Sequence, residues 1–88
     1  MSKIIKPLST QITLSASVGN TVSNAVMVRL VNANSTNRDV TRSDSSNSAI
    51  GSFTILGNSE AYIRKDISDQ LHVSAGSDVK ATSIAILD

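Results

Sequence analysis

Apolar and polar residues alternate with a period of two in short runs along this chain, and turn residues break every run. Ile12, Leu14 and Ala16 alternate with Gln11, Thr13 and Ser15, and Ser17-Val-Gly-Asn20 follows as a turn. The pattern recurs at about 8–12-residue intervals, and no segment has the apolar spacing of a helix. Segments 11–16, 25–32, 38–42, 49–56, 60–65, 70–75 and 79–87 therefore read as strands. The expected fold is all-β: a small antiparallel sandwich or barrel of about seven short strands.

Composition agrees. Ser, Thr and Asn make up 30 of 88 residues and Glu occurs once, so small polar and β-branched side chains replace helix formers. Ala, Val, Ile and Leu supply 31 residues against two aromatics, Phe53 and Tyr62. A chain this short forms one domain with a thin aliphatic core. It has no cysteine for a disulfide or thiolate–metal staple, which leaves self-association as the common route to extra stability.

The expected organisation is an extended N-terminal arm over residues 1–10 and a single β-domain over 11–88. Pro7 suits an edge or a tail. Ile4, Ile5 and Leu8 are too apolar for a purely solvated arm, so they cover the domain's own core or contact a neighbouring subunit. In 25–32, Val26, Val28 and Leu30 share one face, whereas Met27, Arg29 and Val31 share the other. That strand is expected to be central or to have its outer face covered. The last strand ends Ile84-Ala-Ile-Leu87, apolar on both faces, and is also expected to be central. Segments 32–37 and 43–48 read as exposed loops. The stretch 52–75 reads as three consecutive strands pairing in a β-meander. Within it Tyr62 and Arg64 oppose Ala61 and Ile63, and His72 opposes Leu71 and Val73. The candidate exposed interface is thus Met27, Arg29, Tyr62, Arg64 and His72.

Chemistry is sparse. His72 near Asp69 invites a Ser–His–Asp reading, but there is no G-x-S-x-G turn to expose a nucleophile, and serine is too common for proximity to inform. One histidine without cysteine does not make an ordinary zinc site, and Asp66, Asp69 and Asp78 lack a calcium-loop spacing. Asp66 and Asp69 read instead as organisers of a turn. The expectation is no enzyme: no catalytic residue, metal, cofactor or small-molecule substrate. Net charge is +1, with basic residues scattered and not interleaved with aromatics, so nucleic acid is not an expected partner. No apolar run approaches a membrane span, and the N-terminus lacks the apolar stretch of a signal peptide. Synthesis in a cytoplasm without signal-peptide secretion is expected.

The order G-S-F-T-I-L-G-N-S-E-A-Y-I-R-K-D-I-S-D-Q-L-H-V-S-A, followed by V-K-A-T-S-I-A-I-L and preceded by V-R-L-V-N, resembles small virion proteins of tailed bacteriophages, including cyanophages. The resemblance covers residues 25–87 and leaves the arm and the 43–48 loop without a counterpart. It implies a structural role in the virion, as a capsid decoration or cement subunit or as a small neck or tail component. The implied partners are the major capsid protein or another virion protein and further copies of the chain, with a trimer favoured. A carbohydrate- or receptor-binding β-module using loops 32–37 and 43–48 is the alternative.

Overall fold

The computed structural model describes residues 4–87, and among them every regular element is a strand. In chain order these are β1 (Ile4–Pro7), β2 (Ile12–Thr13), β3 (Met27–Asn32), β4 (Arg38–Ser43), β5 (Ala49–Ile55), β6 (Glu60–Arg64), β7 (Gln70–Val73) and β8 (Val79–Leu87). Two antiparallel sheets form. One runs β1-β8-β3-β6, with β2 on the same side of β8 as β1; the other runs β5-β4-β7. They face each other across an aliphatic core and do not close into a barrel.

Alternation along each strand sorts the residues. Val28, Leu30 and Asn32 of β3 point inward, beside Val79 and Ala81 of β8. The opposing sheet contributes Val40, Ile55, Leu71 and Val73, and Leu14, Val22 and Ala25 complete the buried cluster. Each fully buried Val or Leu contributes about 1.5–3 kcal/mol relative to exposure. As expected from their apolar faces, β3 and β8 are central. The eighth strand arises from the expected arm. Ile4–Pro7 pairs in cis with Ile84–Leu87, Leu8 N–H continues the ladder to Ser83 (2.7 Å), and residues 1–3 lie outside the described residues.

The meander does not form. β5 and β7 both flank β4 in the smaller sheet, while β6 pairs with β3 in the larger, so three consecutive strands alternate between sheets and all lie at edges. The backbone of the two crossings shows why. After β5, Gly57 N–H donates to Asn37 Oδ1 (2.9 Å) and Asn58 N–H to the Asn34 carbonyl (2.9 Å). These bonds tie the turn to the 33–37 loop. A Cβ at Gly57 would collide with the Ser35 carbonyl, so only glycine admits this approach. After β6, Lys65 N–H donates to the Val26 carbonyl (2.8 Å), and the chain then crosses back to enter β7.

Asn32, expected at the start of an exposed loop, is fully buried. Its Nδ2 reaches the carbonyls of Thr36 (2.8 Å), Ile55 (3.3 Å) and Leu56 (3.3 Å), and its Oδ1 accepts from Asn34 N–H (3.0 Å). One side chain therefore joins β3 of the larger sheet to the end of β5 in the smaller. The 43–48 segment behaves as expected at its tip: Asp44 N–H donates to the Ser48 carbonyl (2.9 Å) and Asn47 takes a positive φ of 65°. Ser43 itself is buried at the end of β4.

Replacing Asn32 with Ala removes the side-chain donor from the buried Ile55 carbonyl and from the partly buried Thr36 and Leu56 carbonyls, and should cost about 1–3 kcal/mol. Urea unfolding should show the fall in midpoint, and the melting temperature should drop by about 4–8 °C for each kcal/mol lost.

Candidate interaction surfaces

The outward face of the larger sheet gathers most of the residues proposed from sequence as an interface. The β3–β6 register sets Met27 opposite Arg64 and Arg29 opposite Tyr62. Glu60 of β6 completes the group. Arg29 donates from Nε to Glu60 Oε2 (2.8 Å), and its second guanidinium nitrogen lies 2.6 Å from the same oxygen. The Glu60 bond pushes the Arg29 pKa above the usual arginine value; burial opposes the shift and a hydrogen bond with Tyr62 reinforces it. Arg29 is thus a fixed cation beside a ring. Towards the other side of the sheet the register turns Ile84 and Ile86 of β8 outward beside Pro7 and Ile5 of β1. In this apolar band Ile84 is only 3% exposed although it lies outside the core cluster, and Ile5 and Ile86 are half-buried, whereas Pro7 is exposed. Ile4 and Leu8 remain 58% and 57% exposed at the band's margin.

His72 does not join this surface. Leu71 and Val73 point into the core from β7, so His72 faces outward from the smaller sheet, on the opposite side of the molecule. It borders a cleft of about 510 Å³ whose other walls are residues 16–19, Ser43, Asn47 and Gln70. The Gln70 amide donates to the Asp44 carbonyl and to Asn47 Oδ1, both at 3.2 Å, and so fixes the cleft's rim. Sequence reading missed this cleft because residues 15–20 are remote from the 43–48 loop in the chain and meet it only in the fold.

The acidic residues are structural. Asp69 is buried, accepts from Arg42 Nη1 (2.7 Å) and also caps the Asp66 N–H (3.1 Å), as the turn reading anticipated. No hydrogen bond joins it to His72 among the described residues. Asp78 pairs with Arg38 (3.0 Å). Among the described residues no group of three or more His, Cys, Asp or Glu could hold a metal. Beside Asp69 lies Lys65, only 3% exposed, whose Nζ donates to the Asp66 carbonyl (3.2 Å). Burial lowers its pKa, and the charges of Asp69 and Asp66 partly restore it. A lysine at the end of a polar strand carries no sequence signal for burial.

No family model matches the chain, and no curated protein or solved structure matches it either. The class defined here is therefore architectural: a two-sheet antiparallel β-sandwich with one cation–aromatic face and one polar cleft.

Replacing Asp69 with Ala strands Lys65 and Arg42 and should cost near the lower end of about 3–5 kcal/mol, since Arg42 is partly solvated. Lys65→Met acts oppositely. With the folded pKa below the unfolded value, the unfolded chain binds more protons as Lys65 titrates, so stability rises with pH towards the ordinary lysine pKa of about 10.4. The methionine variant should be more stable at neutral pH and lose that rise, as read from urea midpoints across the alkaline range.

Proposed function

We propose that this protein is a structural subunit of a bacteriophage virion that acts by protein–protein contact, as a capsid decoration or cement subunit on the major capsid protein. The observation that carries this reading is the outward face of the larger sheet. Arg29 and Tyr62 stand opposite each other in register, held by Glu60, with Met27 and Arg64 beside them. Tyr and Arg in a rigid, pre-organised setting are the side chains that dominate protein interfaces, because they bury large area at little entropic cost. A cement subunit works by adding buried contact across the boundaries between shell subunits, so separating them costs more. Such a subunit needs a rigid scaffold and no reaction chemistry. A homo-oligomer, with a trimer the form implied by the resemblance, would multiply the contact by avidity. A neck or tail position would use the same surface.

The cleft beside His72 favours a second reading, a carbohydrate- or receptor-binding module. Hydroxyl and amide groups line it, and Asn47 comes from one of the two loops expected to serve such a role. Tyr62, the aromatic that could offer a sugar platform, belongs to the other sheet, which weighs against this reading.

Cosedimentation with phage capsids assembled without the protein tests the proposal. The wild type should saturate particle sites, and Tyr62→Ala should weaken binding by about 2 kcal/mol, roughly thirtyfold. Failure of the folded wild type to bind capsids, necks or tails overturns the proposal, and a glycan ligand displaced by substitutions at His72 and Asn47 would establish the second reading.

A further inference from the structure

The sheet edges are not treated alike by the sequence. An edge strand offers unpaired N–H and C=O groups to any extended chain, and stable proteins cover or spoil it. β7 is covered: Asn20 and Leu71 exchange backbone hydrogen bonds (3.0 and 2.8 Å), and Val73 N–H reaches the Ser15 carbonyl (3.1 Å). β1 carries Lys6 and Pro7, and β6 has exposed Glu60 and Arg64 at its ends. β5 has only a β-bulge, where its pairing with β4 skips Ile50 between Ala49 and Gly51. Its seven residues, A-I-G-S-F-T-I, contain no charge and no proline, and the first four are exposed. Ile50 within it is 49% exposed and Leu56 just beyond it 59%.

Gly51 sharpens the case. It is absent from the residues with positive φ, and a Cβ built on it would meet nothing within 4 Å. Packing within the chain does not call for glycine there, and glycine weakens a strand, although this one borders the bulge at Ile50. Next to it a hollow of about 160 Å³ opens between the edges of the two sheets, lined by Arg42, Gly51, Ser52, Phe53, Ile63 and Arg64.

We infer that β5 pairs antiparallel with β5 of a second copy about a two-fold axis at Ser52, joining two three-stranded sheets into one of six strands. In that register Gly51 stands opposite Phe53 of the second copy, within the regularly paired part of β5 and short of the bulge at Ile50. The aromatic ring then lies over the glycine at the mouth of the hollow, an arrangement that compensates a strand glycine. An isologous contact brings each residue close to its own symmetry mate, so a charge near the axis would face itself. The absence of charge from β5 therefore suits a second copy of this chain. Each copy uses its edge once and the contact closes. Combined with a threefold axis elsewhere, it still yields an even number of chains. The pairing stands independently of the virion reading, because it leaves Arg29 and Tyr62 on the outward face of the larger sheet free.

Sedimentation equilibrium with Ser52→Lys tests the inference, far-UV circular dichroism serving as the control for folding. The wild type should contain an even number of chains, and the lysine variant half that number. Ile50→Lys, further from the axis, provides the same readout should Ser52→Lys fail to fold. Concentration-dependent protection of β5 amides from hydrogen exchange should accompany assembly and vanish in the variants. A monomeric wild type, an unchanged mass in both folded variants, or open-ended fibrils in place of a closed species would each overturn it.

Discussion

The Asn32 carboxamide is the junction on which the two-sheet arrangement depends. It leaves β3 at the centre of the larger sheet, enters the core and binds carbonyls at the end of β5 and in the following turn. Those carbonyls sit where the chain leaves the smaller sheet, and that of Ile55 is buried. A buried amide that satisfies several of them offsets its own desolvation. The same side chain accepts from Asn34, which orders the loop that in turn receives Gly57 and Asn58. The crossing from β5 to β6 is therefore held by side-chain amides as much as by apolar contact. In a core without tryptophan, built mostly from valine and leucine, this is a large share of what specifies the sheet pairing.

Two outward faces with different chemistry follow from this arrangement. The larger sheet displays Arg29, Arg64, Lys80 and Glu60 together with Tyr62 and Met27. The smaller displays mostly hydroxyls: Thr41, Ser52 and Thr54 with Asp39 and His72, and Thr54 donates to Asp39 (2.7 Å). Buried Lys65 and Asp69, with the partly exposed Arg42, lie between strands and serve the crossing from β6 to β7. They give that turn a definite shape at an electrostatic cost, since Lys65 is charged where water is scarce.

What was legible in the sequence is the face each strand presents. Alternation correctly assigned Val28 and Leu30 inward and Met27 and Arg29 outward, and apolar character on both faces correctly marked β3 and β8 as central. Neighbours were not legible, because a period of two says which way a side chain points and nothing about which strand lies beside it. That is why 52–75 read as a meander and why His72 was grouped with Tyr62. Both face outward, but from different sheets. Buried polar residues were the other blind spot: Asn32, Lys65 and Asp69 sit next to turn residues, and composition there suggests solvent. The left-handed run Val22-Ser23-Asn24, with φ between 53° and 57°, was also invisible, since valine rarely adopts it. Its side chain is 1% exposed, and core burial holds the backbone in that conformation.

The place of β8 in the topology bears on how the molecule comes into being. It is the strand to which β1, β2 and β3 all attach, yet the ribosome makes it after every one of them. Until it emerges, β1 and β2 have no ladder to join and β3 has only β6. The smaller sheet, whose three strands are complete by Val73, can pair earlier. During synthesis the larger sheet can therefore be completed only last, by the contact between β1 and β8. Such distant pairings are slow to find, and the nascent chain spends that interval with its future core half uncovered.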